Sequence, residues 1–271
     1  MQKQEKDCLI KAENFVFHNY SLNFEIGSNE KIGLWARSEH LSSELLLALA
    51  GIQASKGLFY QTKKLYDNSL YFLNRLYLDC KLNYFQTLKP ALINTNLKNE
   101  FNKEINEELL TKLIKDLEIR KECFVYDVVI FNELGNNLIN LAVLLASNYH
   151  LLVDHPFHAL NPLLTKKFIN DFKKYPKTII MTINELPLFS DLVKRILVLG
   201  DLNNYVFIEP EKDEIYLHDK INDFFEFKIL TNLKNNKEIS FNFSKEMKNI
   251  LAKKKIRYQK VNFYEIEKYL N

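Results

Sequence analysis

The segment GLWARSEHLSSELLLALAG, residues 33–51, is the most informative part of the sequence about the fold. It continues the short apolar run NEKIGLW, which is typical of a buried strand, and leads into SSELLLALAGI, which has helical periodicity and ends near Gly51. A strand, a loop and a helix in this order bind phosphates when the loop is rich in glycine and contains a lysine. This loop keeps the order of elements but lacks almost all of those residues.

The segments on either side of this unit predict an α/β protein. Upstream, CLIKAENFVF and YSLNFEI alternate like strands; downstream, GLFYQ and SLYFLN predict two short strands and EELLTKLIKDLEI predicts a helix. The strands YHLLVDHP, TIIMTIN and RILVLG follow, with the helix LNPLLTKKFINDFKKYP after the first of them. Buried strands that alternate with helices favour a parallel sheet.

The last part of the sequence has a different pattern. After about residue 201, the runs YVFIEP, IYLH, FFEFKIL, EISFNF and IRYQKVNF predict strands, with the helix KEMKNILAKK among them. Its basic run LAKKKIRYQK, residues 251–260, predicts a helix end that enters a strand and is solvated on one face. A contact with a partner or an anionic surface is the alternative for that run.

The composition excludes several classes of protein. With 271 residues, 47% hydrophobic and 26% charged, the chain is expected to fold around a substantial core, as one large domain or one domain with an appendage. A net charge of +3 gives no global reason to expect nucleic acid. The three cysteines are far apart, which fits a reducing cytoplasm, and the longest apolar runs are shorter than the ~20 residues of a membrane span.

The loop resembles that of the nucleotide-binding subunits of ABC transporters, whose pattern is G-x-x-G-x-G-K followed by Ser or Thr. On that pattern Ala36, Glu39 and Leu41 stand at the glycine positions, Ser42 stands at the lysine and Ser43 keeps the hydroxyl that contacts Mg²⁺. Side chains at the glycine positions crowd the backbone, and the Glu39 charge would lie where polyphosphate binds. The resemblance therefore implies a loop without tight ATP binding.

The signature segment of the same family is similar to FNELGNNLINLAVLLASN, Phe131–Asn148. In the family, Ser-Gly-Gly contacts the γ-phosphate from the opposite subunit. Asn132, Glu133 and Leu134 replace those three residues here, so the resemblance implies that this site is also lost.

The run LLVDHP resembles the Walker B strand. Asp154 matches the family's aspartate, which implies a carboxylate that orients a metal-bound water, and His155 replaces the glutamate that polarises the attacking water. The run ALN, ending at Asn161, stands for the family's A-L-D loop. Asn184 stands at the position of the family's switch histidine, and Asn74 lies near the position of its lid glutamine.

Structural roles compete with these functional ones. Asp154 also suits a strand-end cap, Trp35 is expected in the core, and Ser42, Ser43 and Glu44 suit a helix start. Asp154, His155 and His158 contain zinc-type ligands, but Pro156 interrupts the spacing, so no metal site is predicted.

The predicted fold is an α/β, P-loop NTPase-like ABC ATPase core with a helical subdomain and a small C-terminal α+β appendage. We expect the core in residues 1–202, with the helical subdomain at about 75–148, and the appendage in residues 203–271. The polarity of the final run also resembles the end of ABC-2 type subunits.

The predicted function is that of a catalytically inactive ATP-binding-like subunit, a pseudo-ATPase without a cofactor. It would pair with itself or with an active homologue and dock on a membrane permease, in the cytoplasm at the inner face of the cell membrane. No catalytic residue is expected, because Ser42, His155 and Asn184 are degenerate positions; Ser43, Asp154 and Asn74 are the remaining candidates for nucleotide contact. The alternatives are a non-transport scaffold and a residual ATPase that uses Asp154, Ser43 and a partner's site.

Overall fold

The structure is a computed structural model that describes residues 8–36, 38–49, 58–60, 69–72, 106–116, 141–142, 145–146, 150–157, 160–183, 189–200, 204–219, 229–230, 237–241 and 245–264. The chain divides into two compact units, one formed by Met1–Gln61 with Thr182–Asn271 and one formed by Thr62–Met181. The predicted domain boundary near residue 202 stays a prediction. Within the described ranges, no helix combines the length and the apolar character that crossing a bilayer requires.

The elements follow the predicted order. They are β1 (Cys8–Phe17), β2 (Tyr20–Gly27), β3 (Lys31–Ala36), α1 (Glu39–Leu49), β4 (Leu58–Tyr60), β5 (Ser69–Phe72), α2 (Glu107–Asp116), β6 (His150–Val153), α3 (Pro162–Lys174), β7 (Ile179–Thr182), β8 (Arg195–Leu199), β9 (Tyr205–Ile208), β10 (Ile215–Asp219), β11 (Ile229–Leu230), β12 (Lys237–Phe241), α4 (Lys245–Lys253) and β13 (Tyr258–Val261).

The first unit contains an antiparallel sheet in the order β2-β1-β4. Along β2, buried and exposed side chains alternate, as expected for a strand with one face on the core. The two-residue turn His18-Asn19 joins β1 to β2, and the backbone of His18 is left-handed with φ 48°. The chain therefore reverses direction in a tight hairpin between Phe17 and Tyr20.

The same unit contains the strand that precedes the loop. β3 pairs with β8 in parallel and β8 pairs with β9 antiparallel. From its second residue onward, β3 is buried at every position, which is typical of a parallel strand covered on both faces. The prediction that Trp35 lies in the core is confirmed, and its ring contacts that of Phe263 edge to face, with centroids 6.0 Å apart.

The C-terminal residues form a second antiparallel sheet in the order β11-β12-β10-β13, with α4 between β12 and β13. The predicted mixture of strands and one helix is confirmed in this region. The strand β9 lies within the predicted appendage, yet it pairs with β8, which belongs to the sheet that contains β3.

The second unit is built on parallel strands. β5 pairs with β6 and β6 pairs with β7, and α3 lies between β6 and β7 in the sequence. α3 begins where predicted because Asn161 caps it and Pro162 occupies its first turn, and it ends with Lys173 and Lys174, whose charges favour a helix C-terminus. The predicted helical subdomain is described only at residues 106–116, 141–142 and 145–146, all helical apart from residue 106.

Candidate functional site

The loop after β3 is shorter than the sequence predicted, because α1 begins at Glu39, three residues before the predicted start at Ser42. The main-chain N–H groups of Leu41 and Ser42 donate to the carbonyl oxygen of Ser38, at 3.0 and 3.4 Å. In a phosphate-binding loop, such N–H groups point at the ligand. Here they close the first turn of a helix, and that turn includes two of the three positions at which the family has glycine.

The lysine position of the loop is filled by a buried serine. The Ser42 side chain is 1% exposed, and its hydroxyl donates to the carbonyl oxygen of Glu39 at 2.9 Å. Because this side chain is buried and protein interiors are closely packed, a longer lysine side chain at this position would require its neighbours to move. Ser43, the retained hydroxyl, is half-buried.

A carboxylate with two histidines lies on the same helix. The Glu44 carboxylate contacts Nε2 of His18 at 2.9 Å and Nε2 of His40 at 3.3 Å. This cluster ties the β1–β2 turn to α1. Sequence reasoning missed it, although the four-residue spacing of His40 and Glu44 indicates a helix-face pair. Among the described residues, no group of three or more His, Cys, Asp and Glu side chains has a geometry that could hold a metal.

Asp154 and His155 follow β6 in the second unit. The Asp154 side chain is buried, and one of its oxygens lies 3.7 Å from Nε2 of His155. The backbone of His155 is left-handed, with φ 45°, an uncommon conformation for a residue with a side chain. At the position where the family has glutamate, this chain therefore places an imidazole beside the Asp154 carboxylate.

Asn161, at the position of the family's loop aspartate, has a structural role. Its Oδ1 accepts the main-chain N–H of Leu164 at 2.9 Å, as in an N-cap. Asn74, Asn184 and His158 lie outside the described residues, as do Asn132, Glu133 and Leu134 of the signature segment.

A buried serine and histidine lie together in the C-terminal sheet. The Nδ1 atom of His218 is 2.8 Å from the carbonyl oxygen of Asp219, which can only accept, so Nδ1 carries the proton. Nε2 then accepts the hydroxyl proton of Ser240 at 2.7 Å. Both side chains are only 1% exposed, so this pair is a satisfied part of the core rather than a nucleophile open to substrate.

Comparison with known proteins identifies the fold. No protein-family model and no curated protein matches the sequence. A solved structure of a cobalt transport ATP-binding protein is similar, with a TM-score of 0.63 and 16% identity over 87% of this chain and 93% of that chain.

Two further solved structures are similar. One is an inward-facing conformation of a metal-chelate type ABC transporter, with a TM-score of 0.56 and 16% identity over 89% of this chain and 99% of that chain. The other is CbiO1 from Clostridium perfringens, part of the ABC transporter complex CbiONQ, with a TM-score of 0.56 and 13% identity over 76% of this chain and 90% of that chain. The chain therefore has the fold of the ATP-binding subunits of ABC transporters, and the predicted α/β class is confirmed.

Proposed function

We propose that this protein is a catalytically inactive ATP-binding-like subunit of the ABC type that acts through protein contacts. It pairs with itself or with an active homologue and docks on a membrane permease, in the cytoplasm at the inner face of the cell membrane. The fold supports the class, and the loop after β3 supports the inactivity.

The first turn of α1 carries the proposal. The amides of Leu41 and Ser42 are bonded to Ser38, so a phosphate at this position would have to break two hydrogen bonds of the helix. It would also meet the exposed Glu39 carboxylate, and no lysine at position 42 would offset that charge. The loss of both the donors and the cation supports a structural role for this segment.

The end of β6 gives independent support. ATP hydrolysis in this fold needs a group that positions the attacking water. His155 stands at that position, and its imidazole lies beside the buried Asp154 carboxylate. A nucleotide bound elsewhere on the chain would thus still lack the glutamate of an active site.

Calorimetry with the purified protein tests the proposal. We expect no saturable heat when MgATP is titrated to millimolar concentration, and the same result for Ser42→Lys, because a single lysine does not reopen the first turn of α1. We expect a matched variant that restores the whole pattern to gain MgATP binding. It combines Ala36→Gly, Glu39→Gly, Leu41→Gly and Ser42→Lys. Saturable micromolar binding by the wild type, or ATP hydrolysis that Asp154→Asn abolishes, contradicts the proposal.

The permease partner requires its own experiment. We expect the tagged protein to co-purify from detergent-solubilised membranes with a polytopic protein. Recovery in a complex that contains no polytopic protein favours the non-transport scaffold instead.

A further inference from the structure

The strand β13 forms one edge of the C-terminal sheet in the part of the chain that the structure describes. The N–H of Asp219 donates to the carbonyl oxygen of Arg257 at 3.3 Å, and the register then pairs Leu217 with Gln259. Because alternate residues of an antiparallel strand direct their main-chain groups to opposite sides, those of Arg257 and Gln259 face β10 and those of Lys260 face away from it. This edge is positioned to accept another strand.

The edge strand β2 of the first sheet is treated differently. The hydroxyl of Tyr205 accepts the N–H of Asn23 at 2.8 Å and donates to its carbonyl oxygen at 3.2 Å. The rings of Phe24 and Phe207 pack beside it, with centroids 5.6 Å apart. The β2 edge is thus covered by the chain's own β9, whereas three of the four residues of β13 are exposed, among them Tyr258 at 42%.

Charge is distributed unevenly around β13, because the segment that leads into it through α4 is basic. Residues 245–260 contain seven basic residues and one acidic residue, a net charge of +6 that leaves the rest of the chain at −3. Lys253, the last residue of α4, is exposed, as are Lys255 and Arg257 just before β13. At its other end, the pairing of Ile215 with Val261 brings in the turn EPEKDE, residues 209–214, which has four acidic residues and one lysine.

We propose that β13 pairs antiparallel with β13 of a second copy of this chain, about a two-fold axis at Gln259. The proposal rests on the proposed function, because it specifies how the chain pairs with itself. In an antiparallel pair, the basic residues just before each β13 run past the acidic turn 209–214 of the other copy. Opposite charges therefore meet at both ends of the paired strands.

The register follows from the same charges. With the axis at Gln259, Lys260 faces Tyr258 of the second copy rather than another lysine. An opposed lysine pair would be destabilising, whereas a lysine beside an aromatic ring is favourable. The edge has a basic segment at one end and the acidic turn 209–214 at the other, which also favours a second copy over other occupants. An acidic peptide, a nucleic acid or an anionic membrane would be repelled by the acidic turn.

Sedimentation of the full-length protein without nucleotide tests the inference, over ~1 to ~200 μM, a range suited to a small interface. We expect a concentration-dependent dimer that weakens at high salt. Arg257→Glu should raise the dimer dissociation constant about tenfold or more, and Glu211→Arg combined with Arg257→Glu should recover most of that loss. Lys260→Pro removes an outward main-chain N–H and no main-chain hydrogen bond to β10, but it also removes the ion pair with Glu214. It should therefore weaken the dimer more than Lys260→Ala, which loses the same ion pair and keeps the N–H.

Lys166→Glu is the matched control, because it reverses an exposed lysine on α3, which belongs to the other compact unit of the chain. It should leave the dissociation constant unchanged, and circular dichroism should show that every variant is folded. A wild type that is monomeric at ~200 μM overturns the inference, even if it binds polyglutamate or phosphatidylserine vesicles instead. Folded variants that all dimerise as the wild type does, or a charge-swapped pair without recovery, also overturn it.

The two proposals fail in different measurements. Saturable MgATP binding would contradict the proposal that the loop is inactive, but it would not affect the evidence for the β13 dimer, which comes from sedimentation without nucleotide. A monomeric protein that binds no nucleotide would contradict the dimer and leave the inactive loop standing.

Discussion

Substituting Gly33, in the middle of β3, tests how closely the strand before the loop is packed. A Cβ atom at this position would lie 2.0 Å from Cδ1 and 2.9 Å from Cγ1 of Ile183. Ile183 is buried at 2% exposure, and its N–H donates to the carbonyl oxygen of Leu34 at 2.9 Å. Carbon atoms in contact lie about 3.5–4.0 Å apart, so the Ile183 side chain would have to move by more than about 1 Å within a filled core.

The expected effect of Gly33→Ala is a loss of stability. Overpacking of this kind costs about 1–3 kcal/mol. Burial of the new methyl group returns about 0.8 kcal/mol, and the lower backbone entropy of alanine in the unfolded chain returns about 0.4–1 kcal/mol. Because the contact at 2.0 Å is so short, we expect the upper part of the overpacking range and a net loss of about 1–2 kcal/mol.

Urea unfolding followed by the fluorescence of Trp35 measures this loss, because Trp35 is the chain's single tryptophan and lies in the same strand. Ile183→Val removes the atom that makes the shortest contact, and it should cost about 0.5–1.5 kcal/mol alone. The double variant should then be more stable than the sum of the single effects predicts, by about 0.5 kcal/mol or more. A neutral Gly33→Ala, or strict additivity, would refute this explanation.

Two further predictions concern the C-terminal sheet. Ser240→Ala leaves Nε2 of His218 buried without its donor, so it should lower the free energy of unfolding by about 1–3 kcal/mol; Ser240→Thr, which keeps a hydroxyl, should lose less in the same urea titration. Hydrogen bonds from Tyr216 and then Lys260 lower the pKa of Glu214 from 4.5 to about 2. Its contribution to stability is therefore complete above about 4.5 and is lost as the pH falls towards 2. The stability difference between the wild type and Glu214→Gln should shrink between pH 6 and pH 3, and a constant difference would show that the charge of Glu214 has no such role.

Much of the fold could be predicted because local patterns and tertiary packing agree. The alternation in YSLNFEI marks one buried face of β2, and the unbroken apolar runs at β6, β7 and β8 mark strands covered on both faces. The Asn-Pro pair at the start of α3 and the lysines at its end also identified that helix from local chemistry alone.

The start of α1 could not be predicted from the resemblance. A loop with three glycines stays open because glycine disfavours the helix, and this chain has other residues at all three positions. Glu39 and Leu41 are compatible with a helical backbone, so the helix extends through two of these positions to Glu39. The sequence shows which residue types stand at these positions, and the structure shows that the first turn of α1 occupies this part of the loop.

From the amino-acid sequence alone we could predict the order of strands and helices, the residue types in the loop after β3 and the burial of Trp35. These features depend on side chains close together along the chain, where periodicity and residue type carry the information. The folded structure was needed to show that Glu44 contacts His18, that Ile183 fills the space beside Gly33, and that Tyr205 covers one sheet edge while β13 is exposed. These features depend on residues that are distant in the sequence. Which of them meet is set by the shape and position of packed elements, and the pattern of residues along one segment does not contain that information.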